Sequence, residues 1–142
     1  MKCDDSPSQG RDPPNSTRVS EMTRLHRHIQ VEKRGEVCCV RLCHHRLDEP
    51  MIYEMSDELR ALVEDGVCRR MALSLGPDAL ECMYSVFLAK LIALQRILRE
   101  HQGELVLCEV QPEVREIFRA CGMEEMFHFA PDFTAAAAHW TV

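Results

Sequence analysis

The sequence predicts an α/β domain, a mixed and mostly parallel sheet of about five strands flanked by helices in the order β-β-α-β-α-β-α-β-α. Three observations carry that prediction. Two short apolar runs, Met71 to Leu75 and Leu105 to Val110, have the length and bounding turn signals of strands covered on both faces. Around them, apolar residues recur at helical spacing, in Ile52, Met55, Leu59, Leu62 and Val63, in Phe87, Leu88, Leu91, Ile92, Leu94 and Leu98, and in Val114, Ile117, Phe118 and Cys121. Strands alternating with helices need crossover connections, and a crossover returns each strand parallel to its neighbour.

Taken in order, residues 1–24 are rich in Asp, Ser, Pro, Gly and Asn and hold almost nothing to bury, so they are expected to form a flexible tail ahead of a domain over residues 25–142. Ile29 and Val31, then Val37 to Leu42, are two extended segments joined by Arg34-Gly35-Glu36, which suits an antiparallel hairpin. Pro50 opens the first helix and Gly66 closes it. The central strand Met71 to Leu75 ends at Gly76-Pro77, and a loop runs from Pro77 to Tyr84. The longest helix spans Ser85 to Gln102, with Lys90, Arg96, Arg99 and Glu100 on its wet side and Gly103 after it. Pro112 opens a helix that stops before Gly122. A strand over Met126 to Phe129 and a closing helix over Asp132 to Trp140, with the tightly packing run Ala135 to Ala138, complete the order.

Composition narrows the function. A chain of 142 residues with 46% hydrophobic residues can build one real core. Its net charge of -6 and its pI near 5.6, with no Lys/Arg cluster, argue against nucleic acid and for a protein partner. No segment approaches the ~20 apolar residues that cross a bilayer, and residues 1–24 hold no apolar signal core, so the expected location is the cytoplasm. Eight cysteines in that setting are expected to be reduced thiols, with Cys38, Cys39, Cys82, Cys108 and Cys121 in or beside apolar segments acting as small hydrophobes. Cys43-His44-His45, near Cys38 and Cys39, offers metal-binding atoms, but neighbours on a strand point to opposite faces and no second CxxC or HxxxH completes a set. No metal and no cofactor are expected. The chain has no GxSxG, no HExxH and no glycine-rich phosphate loop, so the reading is of a protein that is not an enzyme.

The segment LAKLIALQRILREHQGELVLCEV, Leu88 to Val110, followed by QPEVREIFRACGMEEMF, resembles the second half of bacterial STAS domains, the anti-sigma factor antagonist family. In that family a helix, a Gly-containing turn, an apolar strand and a PxV-type helix ending in Gly occur in this order. The likeness covers nearly all of residues 27–140, and Arg46-Leu47-Asp48 resembles the Leu-Asp ahead of the family's first helix, with His45 where Gly is usual. The resemblance implies a regulatory interaction module that binds a kinase-type anti-sigma factor. It also implies a phosphoswitch, because the family's central strand leads to an Asp-Ser-Ser-Gly-like motif whose first serine is phosphorylated by the partner kinase.

Here that motif reads Tyr84-Ser85-Val86-Phe87, and only the serine matches. Ser85 is therefore the expected phosphorylation site, and Tyr84, Ser85, Val86, Phe87, Lys90 and Asp48 are the expected partner-binding residues. Elementary physics leaves two readings of Ser85 open: a helix start tolerates a phosphate, and it equally uses an unmodified Ser as N-cap. Tyr84 and Phe87 likewise suit either an exposed aromatic anchor or the core. The alternative function is a STAS-like scaffold or transport-complex subunit in a multiprotein assembly, with no phosphoswitch.

Overall fold

The structure is a computed structural model that describes residues 26–140. The expected tail over residues 1–24 lies outside the described residues. β1 (Ile29–Arg34) and β2 (Val37–Leu42) form the antiparallel hairpin, turned at Gly35 with φ +62°, a left-handed conformation that glycine adopts without strain. β3 (Arg46–Leu47) is a two-residue strand, followed by α1 (Glu49–Glu64), the central strand β4 (Arg70–Ser74) and a second two-residue strand, β5 (Glu81–Cys82). Then come α2 (Tyr84–Glu100), β6 (Glu104–Cys108), α3 (Pro112–Ala120), a 3-10 turn (Glu124–Met126), β7 (His128–Ala130) and α4 (Phe133–His139).

The main sheet has five strands in the order β1-β2-β4-β6-β7, parallel from β2 onward. Its interior strands alternate between two buried faces. Cys38, Val40, Met71, Leu73, Leu105 and Leu107 face α1, α2 and α3, where Ile52, Met55, Leu59, Phe87, Leu91, Leu98, Val114 and Phe118 complete the larger core cluster. Cys39, Ala72, Val106 and Cys108 face the other way, against Phe133 and Ala136 of α4. The small side chains of Ala72 and Ala136, both fully buried, let α4 approach the sheet closely, which is why this helix is an alanine run.

Three findings depart from the sequence reading. The segment Pro77 to Tyr84 is not wholly loop, because β5 pairs in parallel with β3 as a separate two-stranded sheet. Cys121 is exposed rather than part of the core, because α3 ends at Ala120 and Cys121 is its C-cap, bonded back to the Ile117 carbonyl with its side chain outside the packed face. Cys43 is disulfide-bonded rather than a reduced thiol, whereas Cys38, Cys39, Cys68, Cys82, Cys108 and Cys121 are free.

Candidate functional site

The strands β2, β4 and β6 all end at the same edge, and helices α1, α2 and α3 begin there. In open α/β sheets this carboxyl edge is where ligands and partners meet the fold. The small sheet organises it. Arg46 pairs with Glu81 and Leu47 with Cys82, so the next residue of each strand, Asp48 and Met83, emerges at the start of a helix: Asp48 is the N-cap of α1 and Met83 the N-cap of α2. An exposed ion pair, Arg46 Nε to Glu81 Oε1 at 3.1 Å, and the Glu81 N–H donating to the His45 carbonyl at 2.7 Å, hold the two segments together.

The helix starts are capped differently. Asp48 Oδ1 accepts the Met51 N–H at 2.9 Å, which satisfies one of the free donors of the first turn of α1. Met83 has no oxygen to offer, and no side chain caps α2. Its early N–H groups and the positive end of its dipole therefore remain open to an anion. Ser85 is the second residue of this helix and exposed, not its N-cap. The N-cap position expected for Ser85 falls instead on Met83, two residues earlier, and goes without a side-chain cap.

Tyr84 is half-buried and anchored: its hydroxyl donates to the Leu80 carbonyl, and its ring meets Phe87 edge-on at 6.1 Å between centroids. Burial pushes its phenol up to about 12, so it stays a neutral donor. Phe87 is fully enclosed in the core and has no surface to offer a partner. Of the two readings of this residue, the structure selects packing. Val86 is half-buried beside the core. Lys90, about one and a half turns beyond Ser85, sets its ammonium 4.8 Å from the ring centroid of Tyr53 on α1. Tyr53 in turn donates its hydroxyl to Glu49 Oε2 at 2.8 Å.

Two residues that the sequence reading passed over join this surface. Met83 is 53% exposed and Tyr53 44% exposed. Tyr53 was legible in principle, as a large aromatic on the polar side of α1. Met83 was not, because it becomes prominent only when the helix start turns it outward.

Behind these helices, the loops after β4 and β6 interlock. Ser74 Oγ donates to Glu109 Oε1 at 2.5 Å, Arg41 Nη1 donates to the same oxygen at 3.0 Å, and Gln111 Nε2 donates to the Pro77 carbonyl. Glu109 holds a left-handed φ of 55°. A Cβ on Gly76 would lie 2.3 Å from the Glu109 carbonyl oxygen, so only glycine fits the crossing. The edge is therefore a braced platform. Burial pushes the Cys82 thiol up to about 11, which keeps it protonated and a poor nucleophile. Cys43, His44 and His45 do not converge: Cys43 is disulfide-bonded, His44 packs edge-on to His28, and His45 pairs with Asp78 at 3.3 Å.

Comparison with known proteins gives the same class. The STAS domain family matches residues 28–136, and the chain belongs to that family. It is 41% identical over 85 residues to BtrV of Bordetella bronchiseptica, a protein that carries the name of an anti-sigma factor antagonist, covering 60% of this chain and 71% of that one. Solved structures share the fold. SpoIIAA of Bacillus, in its phosphorylated form, aligns with a TM-score of 0.60 at 19% identity over 78% of this chain and 98% of that one. An anti-sigma factor antagonist from Mycobacterium paratuberculosis aligns with a TM-score of 0.66 at 20% identity, over 78% and 91%. The protein is thus an anti-sigma factor antagonist-like STAS domain. Among the described residues no helix is long and apolar enough to cross a membrane.

Proposed function

We propose that the protein docks a kinase-type anti-sigma factor on the surface formed by the starts of α1 and α2, and that phosphorylation of Ser85 releases the partner. The observation that carries this reading is the state of the α2 start. Ser85 is exposed within the first turn of a helix whose N-terminus no side chain caps. A phosphate there gains the free N–H groups and the helix dipole, so the fold tolerates it while the docking surface acquires about 1.5 to 2 negative charges. Asp48 and Glu49 at the start of α1 and Glu81 in β5 belong to the same edge of the fold, and a phosphate adds to the negative charge there.

A second reading has its own observation. Met83 and Tyr53 are exposed large apolar residues on this same surface, and they suit a permanent hydrophobic dock in a multiprotein assembly with no phosphoswitch. Incubating the chain with candidate kinase-type anti-sigma factors and ATP, then measuring intact mass, separates the two. A single added phosphoryl group that vanishes in Ser85→Ala supports the switch. No added mass in the presence of a kinase active on another substrate refutes it.

A further inference from the structure

Away from the helix starts, the first residue of β6, the first residue of β7 and the last residue of α4 converge: Glu104, His128 and His139. His139 Nε2 lies 3.0 Å and His128 Nε2 lies 3.3 Å from one and the same carboxylate oxygen, Glu104 Oε2. The two imidazole rings stand 5.0 Å apart, and the three metal-capable atoms all lie within 4.8 Å of one another. The other carboxylate oxygen, Oε1, accepts the Trp140 Nε1–H at 2.9 Å.

We propose that Glu104, His128 and His139 bind a divalent cation of the zinc type. The donor set is two imidazole nitrogens and one carboxylate oxygen, which suits borderline metals such as zinc rather than the all-oxygen preference of calcium or magnesium. The spacing fits as well. Ligands held about 2.0–2.2 Å from a tetrahedral zinc stand roughly 3.3 Å from one another, and the two nitrogen-to-oxygen separations are 3.0 and 3.3 Å.

The surroundings have the other features of such a site. Trp140 grips the non-ligating oxygen, so Glu104 is held with Oε2 toward the histidines, the service that an outer hydrogen-bond partner performs for a metal ligand. A cavity of about 220 Å³, lined by Glu104 and His128 together with Gln95 and Arg99, opens beside the cluster. It leaves room for a water or a small anion as fourth ligand. Both histidines are exposed, so an ion can enter without unfolding the chain. Bound there, it ties the end of α4 to the sheet that this helix covers. The cluster is unrelated to Cys43, His44 and His45, and its ligands come from three separate elements.

The test uses tag-free full-length protein stripped with a chelator, titrated with zinc chloride at pH 7.5 by calorimetry, with Co2+ as a spectroscopic probe. The expected result is one equivalent of zinc, visible Co2+ bands without a thiolate charge-transfer band, and a thermal midpoint that rises with zinc. His128→Ala and His139→Ala should each weaken zinc at least tenfold and remove the rise, while leaving the metal-free midpoint unchanged. Trp140→Phe should weaken it by about tenfold, the usual cost of losing an outer hydrogen bond. No zinc uptake would overturn the proposal. So would uptake that survives both histidine substitutions, or a Co2+ spectrum dominated by thiolate charge transfer, which would assign the metal to cysteines.

Discussion

Phe87→Ala separates packing from docking at the start of α2. The ring is fully enclosed, packs against the Met71, Leu73 and Leu91 cluster and meets Tyr84 edge-on. Truncation removes its transfer free energy and leaves a cavity, a combined cost of about 3–5 kcal/mol. About 0.5–1.5 kcal/mol of that corresponds to the aromatic pair. With a urea m-value of about 2 kcal/mol/M for a domain of this size, the unfolding midpoint should drop by roughly 2 M. Equilibrium urea unfolding followed by circular dichroism reads this directly. Met83→Ala, four residues before Phe87 at the N-cap, is the control: half of that side chain is already in solvent, so its stability should stay within about 0.5 kcal/mol of wild type. A Phe87→Ala cost below about 1 kcal/mol, or a Met83→Ala cost equal to it, would refute the orientation of the helix start on which the docking surface depends.

Leu91→Ala, on the same inner face, should cost about 2–5 kcal/mol by the same unfolding assay. Gly76→Ala forces a Cβ to 2.3 Å from the Glu109 carbonyl oxygen, and the required backbone shift should cost about 1–3 kcal/mol, read as a lower midpoint in thermal unfolding. Burial raises the folded-state values of Cys82 to about 11, Cys108 to about 12 and Tyr84 to about 12. Groups raised in this way favour the fold while protonated, so their contribution to stability should be level up to about pH 9 and fall between about pH 9 and 12 as the unfolded thiols and phenol ionise first. Unfolding midpoints measured across that range should show the decline, and Cys108→Ala should make it shallower.

How much was legible in the sequence differs by element. The interior strands were, because a strand buried on both faces writes itself as an unbroken apolar run, as Met71 to Leu75 does. The long helices were, because one face of each meets the core at helical spacing. The two-residue strands β3 and β5 were not: a pair of residues has no period, and their pairing joins positions 35 apart. At the candidate site, Ser85 was singled out by resemblance alone, while its place in the helix was missed by one rule of thumb. Serine prefers the N-cap, but α2 starts at Tyr84, and tertiary packing of Phe87, Leu88 and Leu91 fixes that start more strongly than one capping preference can. Glu104, His128 and His139 were not legible at all, since only the order of β6, β7 and α4 in space brings them together.

The most direct measurement is the affinity of the kinase-type anti-sigma factor for wild type, Ser85→Ala and Ser85→Asp, determined by isothermal calorimetry with adenosine diphosphate present so that no phosphate is transferred. Ser85 is exposed at the positive end of α2, where an added carboxylate stabilises by about 0.3–1 kcal/mol, so a change in binding is not a change in folding. Wild type and Ser85→Ala should bind alike, and Ser85→Asp should bind at least tenfold more weakly, about 1.4 kcal/mol. Equal affinity for all three, with Met83→Ala or Tyr53→Ala instead losing binding, would contradict the switch and leave the permanent dock standing.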